Sequence, residues 1–239
     1  FTSQNKILPG TYINFVSAKK ASAALSERGI ATIPLSLDWG EELKIFAVTQ
    51  EEFAKNSLKI FGYLYQADEL KPIREIFLHA RKVYLFRLNS SGVKASNTYA
   101  TAKYSGARGN SLKTVITANE NSTEQKPLFD VSTYLGTTLV DSQKAVAAMS
   151  GLKANDFVEW KSSATLAATA GTPFTGGTDG TVGDTAYQTY LDQAESYSFN
   201  AMGCTSTTDS VKTLFVNFVK RMRDEVGKKF QVVCFSKLA

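Results

Sequence analysis

One histidine and two cysteines are the residues of this sequence that most readily carry out chemistry near neutral pH. His79 follows Glu75 by one turn near the end of a predicted helix, and a histidine with an orienting partner can act as a general acid or base. Cys204 or Cys234 could act as a nucleophile if a neighbouring base lowered the pKa of its thiol. The sequence around these residues supplies no matched partner, and the cysteines have neither metal-ligand spacing nor a CxxC pattern. We therefore predict two buried free thiols, a surface or helix-capping histidine, no catalytic residue and no enzyme.

A glycine-rich run from Gly176 to Gly180 is the second candidate for chemistry, and it includes Asp179. Such loops can bind phosphate through backbone N–H groups at the start of a helix, and a helix is predicted to begin near residue 185. The run lacks the lysine and the following Ser or Thr of a P-loop, and no strand leads directly into it. Asp179 has no second and third ligand at the spacing of a calcium loop. We interpret the run as a tight turn and predict neither a cofactor nor a metal ion.

Charge and hydropathy argue against two classes of partner. The 27 basic and 22 acidic residues give a formal net charge of +5, with the basic residues scattered among the acidic ones. The adjacent lysine pairs, Lys19-Lys20 and Lys228-Lys229, lie on no aromatic platform of the kind that single-strand-binding proteins use. No apolar run approaches the length that crosses a bilayer. The sequence therefore predicts a globular protein that binds neither nucleic acid nor membrane.

Helix and strand patterns alternate in the two outer parts of the chain. The predicted helices lie at about 68–80, 185–197 and 209–226. The predicted strands lie at 30–37 and, after each helix in turn, at 83–88, 199–204 and 231–235. Repeated helix-to-strand units with short connections are typical of an α/β fold with a mainly parallel sheet and covering helices.

The middle of the chain has a different pattern. Short strands separated by Gly, Asn and Ser turns are predicted at 99–104, 112–118, 128–134, 138–140 and 157–161. A helical period is weak and limited to 142–149. This pattern indicates a small all-β domain inserted at 93–180 into a discontinuous α/β core formed by 18–92 and 181–239.

Residues 1–17 are predicted to form an extended N-terminal arm. Pro9-Gly10 interrupts the chain, and a short β-prone run of Tyr12, Ile13, Phe15 and Val16 follows. An ordinary edge strand of the same domain is the alternative interpretation.

The order and spacing of several segments resemble those of the phage tail sheath family, in particular the branch of Gram-positive myophages and defective prophages. The matching segments are Pro9-Gly10-Thr11-Tyr12-Ile13-Asn14-Phe15, Arg28-Gly29 through Leu35-Ser36-Leu37-Asp38-Trp39-Gly40, Phe86-Arg87-Leu88-Asn89 with Gly92-Val93-Lys94-Ala95, Ala102-Lys103-Tyr104 with Arg108-Gly109-Asn110, the turn at 175–180, and Arg221-Met222-Arg223-Asp224-Glu225-Val226-Gly227-Lys228-Lys229-Phe230.

The resemblance implies a structural subunit that polymerises helically around a tail tube and contracts to drive the tube through the host envelope. Its expected partners are other sheath subunits, the tail tube protein, and the baseplate and tail terminator proteins. Its expected place is the virion tail, assembled in the bacterial cytoplasm. The resemblance also implies that arms link neighbouring subunits, here through Tyr12, Ile13, Asn14, Phe15 and Val16.

The resemblance adds one expectation about length, and a different functional class supplies an alternative. Sheath subunits usually continue well beyond a strand like that at 231–235, so this chain is expected to lack their C-terminal elements. A surface polysaccharide-binding β-module on an α/β scaffold is the alternative function, and exposed aromatic residues within 93–165 would favour it.

Overall fold

A computed structural model describes residues 29–234 of the chain. The α-helices in this range are α1 (Gln50–Phe61), α2 (Lys71–Phe77), α3 (Ala186–Ala194) and α4 (Asp209–Asp224). The strands are β1 (Ile30–Leu35), β2 (Ile45–Thr49), β3 (Lys82–Arg87), β4 (Asn89–Ser90), β5 (Ala100–Ala102), β6 (Leu112–Ala118), β7 (Phe129–Leu135), β8 (Thr138–Val146), β9 (Val158–Trp160), β10 (Thr169–Pro173), β11 (Thr181–Val182), β12 (Ala201–Cys204) and β13 (Gln231–Cys234).

A five-stranded sheet in the order β13-β12-β1-β3-β2 is the centre of the α/β part. Its first three pairings are parallel, whereas β2 at the far edge runs antiparallel to β3. β3 lies between two neighbours and under helices on both faces. Its residues Val83, Leu85 and Phe86 are therefore completely buried, as expected of an interior strand.

The prediction of a mainly parallel sheet requires correction for the chain as a whole. The four-stranded sheet β10-β6-β7-β8 and the two small pairs β4–β11 and β5–β9 are all antiparallel. The pairings of the described residues are thus largely antiparallel, and the parallel ones are confined to part of the five-stranded sheet. The short turns that join the inserted strands explain this, because such turns connect antiparallel neighbours only.

Helices cover both faces of the five-stranded sheet. On one face, Tyr190 of α3 lies 5.4 Å from Phe86 and 6.0 Å from Phe215 of α4, measured between ring centroids. On the other face, Phe53 of α1 stacks on Phe77 of α2 at 4.9 Å. Burial of each such side chain stabilises the fold by about 1.5–3 kcal/mol, so these two layers form the main core.

The helix α1 is absent from the sequence-based predictions. It begins with a capping box in which the Thr49 hydroxyl accepts from the Glu52 amide and the Glu52 carboxylate accepts from the Thr49 amide. It ends at Gly62, whose left-handed conformation (φ 76°) closes the last turn. The buried residues of this helix are Phe53, Ser57 and Phe61. Because the middle one is a polar serine, the buried face lacks the regular apolar spacing that predicts a helix. The other helices lie where they were predicted but are shorter at their ends.

The inserted strands contribute to two apolar clusters, the first of which also includes Trp39 of the α/β part. One cluster includes Leu112, Leu135, Phe157 and Phe174, and a second includes Ile116, Val131 and Val146.

The weak helical period at 142–149 corresponds to no α-helix, because β8 continues as a strand to Val146. Ala145 there has a positive φ of 56°, and the register against β7 shifts along this strand, so the side-chain alternation is irregular.

Two expectations are not tested by these observations. The predicted arm and its residues Tyr12, Ile13, Asn14, Phe15 and Val16 lie outside the described residues. The division of the chain at 92/93 and 180/181 stays a prediction. Within residues 29–234, no helix has both the length and the apolar character needed to cross a membrane.

Candidate functional site

Two chain segments connect the five-stranded sheet to the inserted strands, and they run side by side. β4 on the outgoing segment 89–96 pairs with β11 on the returning segment 175–182. Val93 bridges to Thr178 and Ser96 to Thr175 in the same antiparallel sense. We call these two segments the paired connectors. The chain therefore leaves and re-enters the α/β part at neighbouring points.

Arg87, the last residue of β3, lies at the base of the paired connectors and is completely buried. Its Nη1 donates to the carbonyl oxygens of Gly40 and Ser105, both at 2.8 Å, and its Nη2 donates to that of Asp179 at 3.2 Å. These carbonyls belong to the loop after β1, to the inserted part and to the returning connector. Arg87 thus holds three distant segments together, and we call this region the junction.

The charge of Arg87 interacts with the carboxylates of Glu42, Asp179 and Asp38. Glu42 Oε1 lies 4.0 Å from Nη2, and the Arg87 Nε has no hydrogen-bond partner. Burial lowers the pKa of the Arg87 guanidinium. Burial also opposes the ionisation of Glu42, but hydrogen bonds from the Ser105 hydroxyl and from the amides of Ser91 and Gly92 outweigh it, so the pKa of Glu42 is lowered. The pair is ionised, and Glu42 also fixes the outgoing connector.

An apolar contact reinforces the junction. Trp39 is completely buried, and its Nε1 donates to the Lys59 carbonyl oxygen of α1 at 3.2 Å. Its ring packs edge-on against Tyr104 at 5.3 Å and lies 6.3 Å from Phe157. Trp39 follows β1, whereas the other two aromatic residues belong to the inserted part. The inserted part therefore shares a core with the α/β part.

A third contact lies at the end of α1. The Arg108 Nε donates to the Gly62 carbonyl oxygen at 2.7 Å, and its guanidinium lies 4.2 Å from the Tyr63 ring centroid. The Tyr63 hydroxyl donates in turn to Asp38. Burial raises the pKa of Asp38, and the Asp179 carboxylate raises it further, against the lowering effect of that hydrogen bond. Cation, ring and carboxylate form one chain of contacts across the junction.

Close backbone approach explains a glycine in the run from Gly176 to Gly180. Gly180 has φ 69°, and a Cβ at this position would lie 2.0 Å from the Ser90 carbonyl oxygen. The Asp179 side chain accepts from the Ala107 amide at 2.6 Å, and its carbonyl oxygen accepts from Asn89 at 2.6 Å. The run therefore lies alongside the outgoing connector, with antiparallel bridges at Thr175 and Thr178, and its interpretation as a tight turn is wrong.

The other residues considered for chemistry are dispersed. His79 is exposed in the turn that follows α2. Cys204 is a buried free thiol as predicted, but Cys234 is only half-buried, because β13 lies at the edge of the sheet.

A cavity of about 390 Å³ beside the junction is bordered by Asp38, Glu69 and Asp179. In the part of the chain that the structure describes, no group of three or more His, Cys, Asp or Glu residues has the geometry to hold a metal ion.

The two thiols are expected to differ in reactivity towards N-ethylmaleimide. Burial raises the pKa of Cys204, and the neighbouring Cys234 thiol also raises it, so little of the reactive thiolate forms. We expect Cys234 to be modified about tenfold faster or more, as followed by mass spectrometry of tryptic peptides over time. In urea the two rates should become similar, and faster modification of native Cys204 would contradict the structure.

Sequence reasoning did not identify Arg87 as a central residue. The available signal was a single arginine at the end of an apolar strand. Several segments that carry the family resemblance meet at the junction: 35–40, 86–95, 102–110 and 175–180.

Three models of phage tail sheath domains match the chain in sequence order. The "Tail sheath protein Gp18 domain III N-terminal region" matches residues 28–88, the "Phage tail sheath protein beta-sandwich domain" matches 90–179, and the "Phage tail sheath protein central domain" matches 180–239.

Known proteins are similar over most of the chain. The Phage-like element PBSX protein XkdK of Bacillus subtilis is 30% identical over an alignment of 256 residues. The alignment covers 97% of this chain and 53% of that protein. The solved structure of a sheath tail protein from Desulfitobacterium hafniense has a TM-score of 0.79 and 37% identity, covering 96% of this chain and 56% of the other. The solved structure of a sheath tail protein from Listeria innocua has a TM-score of 0.73 and 32% identity. It covers 86% of this chain and 47% of the other. The chain therefore spans about half the length of the proteins it matches.

Proposed function

Because this chain belongs to the phage tail sheath family, we propose that it is part of a structural subunit that polymerises around a tail tube and contracts to drive the tube through the host envelope. The observation that carries the proposal is the succession of three sheath-domain matches from residue 28 to residue 239. Its partners would be further copies of itself, the tail tube protein, and the baseplate and tail terminator proteins. Its place would be the virion tail after assembly in the host cytoplasm.

The proposed mechanism needs no catalytic residue. Contraction would be a collective rearrangement of subunits that stay linked while their globular bodies move. The junction supports this idea, because a buried arginine, a shared tryptophan and the paired connectors join the inserted part to the α/β part. We propose that the α/β core (18–92 and 181–239) and the inserted domain (93–180) move as one body during contraction.

We further propose that residues 1–17 are the arm that links this body to a neighbour. A strand added to a neighbouring sheet gains roughly 1 kcal/mol for each backbone hydrogen bond. Burial of Tyr12, Ile13, Phe15 and Val16 would add about 1.5–3 kcal/mol for each fully covered side chain, and Asn14 lies within the same run. Association entropy offsets much of this for one pair, so many simultaneous links are needed to hold a lattice together.

Electron microscopy of the full-length protein tests the proposed function. Tubular polysheaths would support it, whereas persistent monomers at high concentration would count against it. The alternative, a polysaccharide-binding β-module, has no support from the inserted strands. Every aromatic side chain between residues 93 and 180, a range that the structure describes throughout, is buried or half-buried.

Deletion of residues 1–17 is expected to abolish assembly without unfolding the protein. Because the arm is predicted to contact a neighbouring subunit and not its own domain, circular dichroism and the unfolding midpoint should stay close to those of the undeleted chain. Polysheath formation by the full-length protein should be lost. A deletion variant that unfolds would show that the segment is a strand of its own domain.

A further inference from the structure

The two cysteines of the chain lie directly opposite each other on neighbouring strands. β12 and β13 run parallel, and Cys204 is the register partner of Cys234. Side chains of register partners in a parallel pair project from the same face of the sheet. Cys204 belongs to the apolar cluster between the sheet and the helices α3 and α4, and Cys234 packs against the same cluster. Both thiols therefore face one helical layer at the same level of the sheet.

The spacing of the two strands suits a covalent bond between the thiols. Neighbouring strands lie about 4.8 Å apart, which is within the range of about 4.4–6.8 Å between the Cα atoms of a disulfide. The Cβ atoms of a disulfide are about 3.5–4.5 Å apart, so the strands must approach each other by less than about 1 Å. Cys204 is the last residue of β12 and leads into a loop, so the adjustment falls where the ladder of hydrogen bonds ends.

The electrostatic surroundings assign the two thiols different parts in such a reaction. Burial raises the pKa of the Cys204 thiol most strongly, and the Cys234 thiol beside it raises it further. The Ser206 amide and the Lys212 ammonium group oppose this effect, because both stabilise the thiolate. Cys234 is the more exposed of the two and is the better first nucleophile. Cys204 is shielded from outside reagents but is placed to attack the Cys234 sulfur.

We propose that Cys204 and Cys234 form a disulfide when the protein passes from a reducing to an oxidising medium, and that this bond fastens β13 to β12. The proposal rests on the proposed function, which has the protein assembled inside a cell and acting outside it. Disulfides are rare in the reducing cytoplasm and persist outside cells. The same pair of residues would thus be two thiols during assembly and one cross-link after release.

A disulfide oxidant such as oxidised glutathione balances the reaction. The Cys234 thiolate attacks one sulfur of oxidised glutathione, and one glutathione thiolate leaves. The Cys204 thiolate then attacks the Cys234 sulfur, the mixed disulfide breaks, and the second glutathione thiolate leaves. The two cysteines are oxidised and the glutathione disulfide is reduced. The two leaving thiolates take up the protons that the cysteines lose.

The bond would close a loop that contains the whole of α4. Residues 205–233 include this helix, whose Phe215, Phe218 and Met222 are buried against the sheet. A cross-link restricts the unfolded chain, and it also prevents β13 from separating from β12 during local opening. We therefore expect the unit formed by β12, α4 and β13 to open less often in the oxidised protein than in the reduced protein.

Oxidation of the unassembled full-length protein tests the proposal. The protein is incubated with an excess of oxidised glutathione and digested with trypsin without reduction. We expect the tryptic peptides 162–212 and 230–236 to be joined, and the product to be lighter than the two free peptides together by the mass of two hydrogen atoms. Hydrogen exchange of the β13 amides should be at least about tenfold slower after oxidation, and dithiothreitol should restore the original rate.

Cys204→Ala, oxidised in the same way, is the matched control. This variant can form only the mixed disulfide between Cys234 and glutathione, so exchange of its β13 amides should not slow. Cys234→Ala provides a second control that removes the first nucleophile, and its Cys204 should stay largely unmodified.

Three outcomes would overturn the proposal. Glutathione bound to Cys234 without joined peptides would show that the thiols do not reach each other. Two unmodified cysteines would show that an oxidising medium does not act on this pair. Joined peptides with unchanged exchange would show that the bond does not fasten β13. Because every measurement uses unassembled protein, a negative result leaves polysheath formation untouched, and a failure to form polysheaths leaves these results unchanged.

Discussion

Replacement of Arg87 by methionine is expected to lower the free energy of unfolding by about 3–5 kcal/mol. Methionine fills much of the same space but donates no hydrogen bond. The carbonyl oxygens of Gly40 and Ser105 would then lose their donor inside the protein, at a cost of about 1–3 kcal/mol for each one left unpaired, whereas that of Asp179 keeps its hydrogen bond from Asn89. Glu42 would lose its nearby positive charge as well, but it is partly exposed and keeps three other donors, so its contribution is smaller.

Urea unfolding of the two matched arginine variants measures this effect. Arg221 also pairs with a carboxylate, Glu195, through contacts of 2.6 and 3.2 Å, but both side chains are exposed to solvent. Arg221→Met should therefore cause a much smaller loss than Arg87→Met. Arg87→Lys should be intermediate, because one ammonium cannot reach three carbonyls in the geometry of a guanidinium. Equal losses for the two methionine variants would show that Arg87 does not hold the junction together.

Replacement of Gly106 by alanine is expected to be at least as damaging, with a loss of about 3 kcal/mol or more. Gly106 has φ 138°, and an added Cβ would lie 1.8 Å from the Asp38 carbonyl oxygen, a clash of backbone with side chain that no rotamer relieves. The inserted part must move away from the loop after β1 to make room. Trp39 lies in that loop, so the junction should open at its apolar contact too.

Fluorescence and thermal unfolding together test the Gly106 prediction. In a Trp160→Phe background, the emission of Trp39 should shift to longer wavelength in Gly106→Ala, because its ring becomes exposed to water. Gly183→Ala is the control, since nothing lies within 4 Å of a Cβ built there. Its stability should stay within about 0.5 kcal/mol of the unsubstituted chain. An unshifted spectrum and an unchanged midpoint for Gly106→Ala would contradict the described packing.

The sequence predicts the elements whose pattern is local. The strand expected at 112–118 matches β6, because Leu112, Thr114 and Ile116 alternate strictly with outward-facing residues. The helix α4 was predicted from Phe215, Phe218 and Met222 at helical spacing, and all three are buried. In both elements the side chains that decide the structure lie within a few residues of one another.

The sequence does not predict features that depend on distant contacts. The role of Arg87 depends on carbonyl oxygens 18, 47 and 92 residues away, and any residue type supplies a carbonyl. The direction of β2 is likewise set by its pairing with β3 after α1 and α2 have intervened. In the sequence, the segments that form the junction stand out only because they resemble those of the sheath family. No pattern in the sequence gives a physical reason why they meet.

The paired connectors also bear on the order in which the chain folds. Asn89 bonds to Asp179 across 90 residues, and closing a flexible loop of that length costs roughly 4 kcal/mol of chain entropy. The inserted strands reduce this cost, because their hairpins form from contacts close in sequence and bring residues 96 and 175 together. Once they have folded, β3 and the chain that leads to β12 are separated by a short effective loop. Early folding of the insertion thereby offsets much of the sequence separation that its own length adds to the sheet it interrupts.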